Sequence, residues 1–220
     1  MRGDDDGDER GRGDDLPLGD AMLFQLALRG VVRPNDLAAA CGVGDDEAAA
    51  MVSVLEQEGL VLWRPRGGDR HVSLTPPGRA RAAEVIADEG SVLRGPVAAI
   101  DGDFAGLNVR VKRILLRWQV RADRPGAVPN DHSDARYDRG VLAELRDVHR
   151  AADALLAHLG GLRPRYASLR RRLRDALARA GFGDVRAVAG TTGDSFHAAW
   201  WELHADLLAM LGRPRGEADA

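Results

Sequence analysis

The 220-residue sequence has few of the residues that mark secreted, redox-active or membrane proteins. Cys41 is its only cysteine, so no disulfide bond can form within the chain. No apolar run approaches the roughly 20 residues that a transmembrane helix needs, and the acidic N-terminus is unlike a secretory signal. We therefore expect a cytoplasmic protein with no membrane partner. Cys41 itself is expected to be a small buried residue, with a redox sensor as the alternative.

Lysine is almost absent, since Lys112 is the only lysine among 31 basic residues. This skew fits a GC-rich genome, so the number of arginines says little about function. Catalytic signatures are missing too: the sequence contains no nucleophile elbow, phosphate-binding loop, dinucleotide fingerprint or zinc-protease motif. We therefore predict no cofactor, and a non-enzymatic protein is favoured over an enzyme.

The two ends of the chain are poor in apolar side chains. Residues 1–18 are mainly Gly, Asp and Arg, which bury too little surface to offset the entropy lost on ordering. We expect residues 1–18 to form a disordered acidic arm and residues 213–220 to form a flexible tail.

Residues 19–90 contain three helical patterns followed by two short strands. Asp20 is expected to cap the first helix, and Gly30 is expected to end it. The second helix, Pro34–Cys41, has a proline in its first turn. A turn of suitable length then leads to residues 45–58, which form the candidate recognition helix of a helix-turn-helix.

A β-hairpin is predicted after this third helix. Residues 60–64 and 70–74 have the composition of strands, and residues 65–69 contain the glycines of the turn between them. Thr75 and the prolines after it then start a further helix. This order of elements, with a Leu-Thr-Pro-x-Gly-Arg motif after the hairpin, resembles winged-helix regulators of the MarR and PadR type. The resemblance covers about a third of the chain and is carried by Leu55, Glu58, Gly59, Leu60, Val61, Leu74, Thr75, Pro76, Gly78 and Arg79.

The candidate recognition helix has no basic residue. Residues 45–58 include several acids and no Arg or Lys, although DNA affinity comes mainly from neutralised phosphates. Acids at the start of a helix are also favoured simply by the helix dipole. The expected DNA contacts therefore combine two polar residues of this helix with basic residues around it. They are Ser53, Gln57, Arg33, Arg64, Arg66, Arg70 and His71.

The second half of the chain shows helical periodicity and no convincing strand. Residues 77–88 are expected to form a fourth helix, and glycines at 90, 95 and 102 are expected to break the chain before a separate domain at residues 103–212. About four helical patterns there each have one apolar face. The clearest faces comprise Leu107, Val111, Ile114, Leu115 and Trp118, and then Tyr166, Leu169, Leu173, Leu177 and Ala180. The predicted fold is mainly α: a winged helix-turn-helix of three helices plus a two-stranded wing, then an all-α bundle of about four helices.

Two polar stretches of the second domain, residues 130–138 and 194–208, resemble motifs of uncharacterised actinobacterial MarR-like proteins. On the last helix His197, Trp201 and His204 share one face, which is expected to point into the bundle. The candidate ligand-binding residues of the domain are Arg110, Arg117, Trp118, His132, Asp134, His197, Trp200, Trp201 and His204.

Three interpretations of this polar face remain open. Its histidines and tryptophans are hydrogen-bonded core residues, or they wall an effector pocket, or His197 and His204 bind a metal together with the loop around His132. The metal is the least favoured of the three. Seven residues separate the two histidines by roughly 10 Å along a helix, whereas a metal lies about 2 Å from each nitrogen. We therefore predict no metal site.

Two functions follow from these patterns. The first is a ligand-responsive, DNA-binding transcriptional regulator that forms a homodimer and binds an unknown small-molecule effector in its C-terminal helical domain. The alternative is a winged-helix scaffold used for protein interaction, with an enzymatic or small-molecule site in the C-terminal domain. The acidic candidate recognition helix favours the alternative, and the complete order of helices and wing favours the first.

Overall fold

The computed structural model describes residues 16–121, 126–190 and 195–214. Most of the predicted arm (1–18) and tail (213–220) lies outside these ranges. The elements are α1 (Leu18–Arg29), α2 (Pro34–Cys41), α3 (Asp45–Gln57), β1 (Val61–Arg66), β2 (Asp69–Leu74), α4 (Pro76–Gln119), β3 (Val120–Arg121), β4 (Val128–Pro129), α5 (Ala135–Gly160), α6 (Pro164–Gly181), α7 (Arg186–Ala189) and α8 (Phe196–Met210). The protein is mainly α, as the sequence predicts.

The first five elements form a winged-helix-like arrangement. Strands β1 and β2 pair antiparallel from Val61 opposite Leu74 to Arg66 opposite Asp69. The turn of this hairpin is Gly67–Gly68, and both glycines have positive φ angles (62° and 89°), which residues with a Cβ rarely adopt. Helices α1 to α3 and the hairpin enclose one apolar core, which also takes in the start of α4. Its members include Met22, Leu23, Leu26, Leu37, Val52, Leu55, Val72 and Ala82.

Helix α1 begins earlier than the sequence predicts. It starts at Leu18 after Pro17, and Asp20 lies inside its first turn instead of capping it. The carboxylate of Asp20 accepts hydrogen bonds from Nε and Nη2 of Arg81 on α4, at 3.1 and 2.7 Å. The prediction that Asp20 is the N-cap is therefore wrong, because this side chain pairs with another helix.

Helix α4 is a single helix of 44 residues, so the predicted break near residues 90–102 is wrong. Thr75 caps it, since Oγ1 accepts from the Gly78 amide at 3.1 Å. A glycine in a helix interior costs only about 1 kcal/mol, and here buried side chains on either side of the glycines offset that cost. These buried side chains are Leu93, Val97, Phe104 and Leu107. Helix α4 runs through the expected boundary between the two domains. The division of the chain into two domains stays a prediction.

Helices α5, α6 and α8 pack with the second half of α4 around a second apolar core. The predicted apolar faces of α4 and α6 are buried in it, from Leu107 to Trp118 and from Tyr166 to Ala180. Helix α1 connects the two cores, since Phe24 and Leu28 belong to the second core and their neighbours on the same helix belong to the first. The two-residue β3–β4 ladder and the short α7 are additional elements that the periodicity does not predict.

Within the described ranges no helix is both long enough and apolar enough to span a membrane.

Candidate functional site

The hairpin exposes most of the basic residues predicted to contact DNA. Arg64, Arg66 and Arg70 are exposed on its two strands. Its position against α3 is fixed by Trp63, whose Nε1 donates to Oε2 of Glu56 at 3.0 Å. The guanidinium of Arg70 stacks over the Trp63 ring, 4.0 Å from its centroid. Arg70 therefore helps to hold the hairpin, whereas Arg64 and Arg66 project from it.

Helix α3 presents an acidic start to solvent. Asp45, Asp46 and Glu47 are all exposed in its first turn. Of the two polar residues predicted to approach bases, Gln57 is exposed at the end of the helix, and Ser53 Oγ donates to the Ala49 carbonyl at 3.0 Å. The exposed surface of α3 is thus negative at its beginning, and Glu56 and Glu58 place further exposed acids at its end.

The last two predicted DNA contacts are less available. Arg33 pairs with Asp36, with 2.8 Å between Nε and Oδ2, and this hydrogen bond raises the pKa of Arg33. His71 is half-buried on β2, and its buried Nδ1 has no hydrogen-bond partner among the described residues. The free positive charge of this region therefore lies mainly on Arg64 and Arg66.

The loop before α5 is organised around Trp118 and Asn130. The Asn130 amide nitrogen donates to the Trp118 carbonyl at 3.0 Å and to Oδ1 of Asp138 at 2.9 Å. The His132 ring packs against Trp118 at a tilt of 43°, with 4.6 Å between ring centroids, and its Nδ1 lies 3.0 Å from Oδ2 of Asp138. Its φ of 58° is the only positive φ of a non-glycine residue in the described part of the chain. His132 and Trp118 therefore belong to a network that fixes the connection from α4 to α5.

Asp134 belongs to the same connection. It is the N-cap of α5, and its carboxylate accepts from the amides of Arg136 and Tyr137 at 3.1 and 3.0 Å. The bond from the Tyr137 amide, followed by the Arg121 guanidinium, lowers the pKa of Asp134. A capping role accounts for these contacts without a ligand.

Trp200 lies in the core rather than beside Trp118. Its ring stacks on Phe104 and on Phe196, at 5.1 and 5.8 Å between centroids, and its Nε1 donates to Asn108 Oδ1 at 3.0 Å. Phe104 and Trp118 are fourteen residues apart on α4, which is about 21 Å along a helix. Trp118 and Trp200, which together with Trp201 would wall one cavity in the effector-pocket interpretation, therefore lie in two separate places.

The remaining candidates do not converge either. Arg110 is exposed, and Arg117 pairs with Glu144 at 2.7 Å. His197, Trp201 and His204 are half-buried, so the face that was expected to point inward lies at the edge of the core. Across the described ranges no three His, Cys, Asp or Glu side chains are grouped as a metal site would require.

A buried ion-pair network joins α4, α6 and α8, and the sequence does not predict it. Glu89 accepts from Arg163 and Arg165, and Arg165 also donates from Nε to Oδ2 of Asp206 at 2.7 Å. The hydroxyl of Tyr166 donates to Oδ1 of Asp206 at 2.8 Å. Burial, followed by the charge of Asp206, raises the pKa of Tyr166.

A second set of charges extends this network to α1. Glu202 on α8 accepts from Arg29 at the end of α1 and from Arg172 on α6, the latter at 2.6 Å. One signal in the sequence points to the network: Glu202 and Asp206 are four residues apart on a helix that is apolar on nearly every side. Such acids are buried together, and buried carboxylates require partners.

A cleft of about 620 Å³ lies beside this network, between α1, the α2–α3 turn and α6; we call it the α1/α6 cleft. Its apolar wall includes Leu16, Leu18, Phe24 and Val43. The α6 side contributes Arg165, Arg171 and Arg174, and no acid occurs among the described residues that line it. The lining residues of the cleft were not candidates from the sequence, because α1, the turn and α6 are far apart in the chain.

A second cavity, of about 520 Å³, lies behind the hairpin. Leu26 and Val31 contribute to its apolar wall, and Arg64, Ser73 and Arg79 contribute polar groups. Arg79 is committed to the fold, since its Nη1 donates to the Leu74 carbonyl at 3.1 Å. Neither cavity takes any of its described lining residues from the ligand-binding set predicted for the C-terminal helices.

The molecule is thus a mainly helical protein with a winged-helix-like N-terminal part. No family model, no curated protein and no solved structure matches the chain.

Proposed function

We propose that this chain is a ligand-responsive, DNA-binding transcriptional regulator that works in the cytoplasm. The observation that carries the proposal is the order of three helices and a hairpin, with Arg64 and Arg66 exposed on the hairpin. Exposed arginines on a wing suit contact with phosphates or with the minor groove. The helix-turn-helix geometry would place α3 at the major groove.

The wing supplies most of the phosphate contacts in this proposal. The acids that open α3, Asp45 to Glu47, repel phosphates, so α3 approaches base edges mainly through its later residues, such as Gln57. Glu47 is the exception, since a glutamate accepts from the amino group of cytosine. Affinity then depends strongly on Arg64 and Arg66.

Regulation in this proposal acts on a homodimer. Two wings and two recognition helices bind half-sites about one helical turn of DNA apart, and an effector changes their spacing. The polar residues of the C-terminal helices and the α1/α6 cleft are the two candidate locations for the effector.

The test is fluorescence anisotropy of labelled DNA from upstream of the protein's own gene, titrated at several salt concentrations. We expect a dissociation constant on the order of 10⁻⁸ M near physiological salt, much tighter than for scrambled DNA. Sedimentation at micromolar concentration is expected to show a dimer. A folded protein that stays monomeric and has no affinity for this DNA even at low salt would exclude the regulator.

A second function is favoured by the exposed acids of α3. In this alternative the winged-helix-like part is a protein-interaction scaffold, and the C-terminal helices hold an enzymatic or small-molecule site. The substitutions Asp45→Asn and Asp46→Asn separate the two functions. Under the regulator they raise DNA affinity by removing repulsion, whereas under the scaffold they leave DNA binding absent.

A further inference from the structure

We propose that the α1/α6 cleft binds an organic anion that has an apolar body, such as a medium-chain carboxylate. The volume of about 620 Å³ falls within the roughly 300–1,000 Å³ typical of small-molecule sites. Such sites combine apolar walls with a few polar groups, and here all the charged groups in the described lining are cationic. A cationic ligand has no oppositely charged partner among them.

Arg171 is the group that receives the carboxylate. It is exposed on α6, and its only hydrogen bond in the described part of the chain is a long one, 3.4 Å from Nη2 to Ser168 Oγ. Arg174 beside it forms a surface ion pair with its neighbour Asp175, with 3.2 Å between Nε and Oδ1. A guanidinium without a buried partner can donate two parallel hydrogen bonds to a carboxylate at no cost to the fold.

Arg165 has a different part in the cleft. Its guanidinium forms ion pairs with Glu89 and Asp206. Burial alone would lower the pKa of Arg165, but the nearby carboxylate of Asp206 raises it. The guanidinium also lies over the Phe24 ring, 4.8 Å from the centroid. Arg165 therefore fixes the back of the cleft, and Arg171 and Arg174 remain for the ligand.

The opposite wall receives the apolar body. It is formed by Leu16, Leu18 and Phe24 from the α1 side and by Val43 from the turn. Cys41 also lines this wall, and burial raises the pKa of its thiol to about 12, so the wall stays uncharged at neutral pH. The apolar body of the ligand then lies against the α1 wall, and its carboxylate lies against the arginines of α6.

The cleft contacts the segment that positions α3. Gly42 and Val43, both in the lining, form the α2–α3 turn, in which Gly42 has a φ of 72° and the Val43 amide donates to the Ala38 carbonyl at 3.1 Å. A ligand held between this turn and α6 favours one distance between them and thereby biases the position of α3. This regulatory role rests on the proposed function, whereas the binding site rests on the cleft alone.

The site is tested by isothermal titration calorimetry of the full chain with decanoate, decanol and decylamine, each below its micellar concentration. The three probes share the chain and differ in the charge of the head group. We expect decanoate to bind at least tenfold more tightly than decanol, and decylamine to bind most weakly. Equal affinity for decanoate and decanol, or no binding of decanoate, would overturn the proposal.

Single substitutions locate the site. Arg171→Ala is expected to weaken decanoate binding about tenfold, and Arg171→Lys is expected to weaken it less because the charge remains. Arg150→Ala, an exposed arginine of α5 paired with Asp147, is the matched control and leaves the affinity unchanged. Arg64→Ala probes the cavity behind the hairpin. If Arg64→Ala weakened decanoate binding and Arg171→Ala did not, the assignment of the site to the α1/α6 cleft would be contradicted.

Steric blocking gives an independent check. Ser168→Trp places a large ring at the α6 side of the cleft, where the native hydroxyl is half-buried. We expect this variant to keep its circular dichroism spectrum and to lose decanoate binding. A folded Ser168→Trp protein that binds decanoate like the parent would place the ligand elsewhere and overturn the proposal.

Repeating the DNA titration with and without decanoate separates the two proposals. If the ligand is the effector, DNA affinity changes several-fold and decanoate affinity changes by the same factor when DNA is bound. Decanoate binding that requires Arg171 while DNA is never bound supports the site and rejects the regulator. DNA binding that decanoate leaves unchanged supports the regulator and rejects the regulatory role of the cleft.

Discussion

Arg165 of α6 and Asp206 of α8 form an ion pair inside the protein, with 2.7 Å between Nε and Oδ2 and only 1% of Asp206 exposed. Removing Asp206 takes one of two carboxylates from the buried Arg165, which keeps Glu89, and takes the acceptor from the Tyr166 hydroxyl. We expect Asp206→Ala to lower the free energy of unfolding in urea by about 3 kcal/mol or more. Asp147→Ala, which breaks an exposed pair on α5, is the control and should cost about 1 kcal/mol or less. Similar losses in the two variants would contradict the importance of the buried network.

Alanine substitutions at two glycines of α4 are predicted to change the stability of the fold in opposite directions. A Cβ at Gly78 would lie 1.8 Å from the Leu60 carbonyl oxygen, so Gly78→Ala must displace the backbone between α3 and β1. We expect it to cost about 2 kcal/mol or more. Gly102 has open space around it, so Gly102→Ala should stabilise the helix by about 0.5–1 kcal/mol. Thermal unfolding of both variants checks the signs, and destabilisation by Gly102→Ala would contradict the continuous α4.

Cys41 is predicted to be unreactive in the folded protein. Burial, mainly through desolvation, raises the pKa of its thiol to about 12, so almost no thiolate forms near pH 8. An aromatic disulfide reagent should therefore label Cys41 only after denaturation. The same shift means that folding stability is lost as the pH rises from the ordinary thiol range towards 12. Rapid labelling of the native protein would instead revive the redox-sensor interpretation.

Local patterns predict the N-terminal part of the fold well, because the signals there are local. The prolines and glycines that bound α2, the Gly67–Gly68 turn and the Thr75 cap act within a few residues of their own position. The continuity of α4 has a different origin. Its glycines are poor helix formers, and burial of Leu93 and Val97 against other helices overrides that local preference.

The location of a ligand site, in contrast, does not follow from local patterns. Trp118 and Trp200 are conspicuous in the sequence, but they pack in two places about 21 Å apart along α4. The α1/α6 cleft is formed by residues such as Leu18, Val43 and Arg171, which share no spacing and line one cleft only because α6 packs against α2. Periodicity predicts which face of a helix is buried, and it contains no information about which helix lies opposite.

His149 is predicted to contribute to the acid sensitivity of the fold. Its Nε2 is buried without a hydrogen-bond partner among the described residues, and burial lowers its pKa from 6.5, opposed by Asp153 and assisted by Arg170 and Arg174. The folded state disfavours the protonated ring, so its contribution is present above pH 6.5 and is lost as the pH falls below that value. Between pH 7 and 5 the unfolding free energy of His149→Gln should decline less than that of the parent. Equal slopes would show that His149 protonates freely in the folded protein.

Arg64 and Arg66 are predicted to provide phosphate contacts rather than base recognition. Both are exposed on the hairpin. Arg70 is left out of this prediction because its guanidinium lies over the Trp63 ring and supports the hairpin itself. Arg64→Ala with Arg66→Ala should weaken binding to specific and scrambled DNA by similar factors. Each lost phosphate contact should also make the slope of log K against log salt less steep by about 1.

The control for this wing variant is Arg150→Ala, which removes an exposed arginine from α5 and should leave both the affinity and the salt slope unchanged. Circular dichroism of the double variant should match the parent, because neither Arg64 nor Arg66 is buried. A variant that loses affinity only for the specific sequence would assign these arginines to base edges instead. An unchanged salt slope would mean that the wing does not touch the phosphates, and the acidic α3 would then leave the scaffold function as the better explanation.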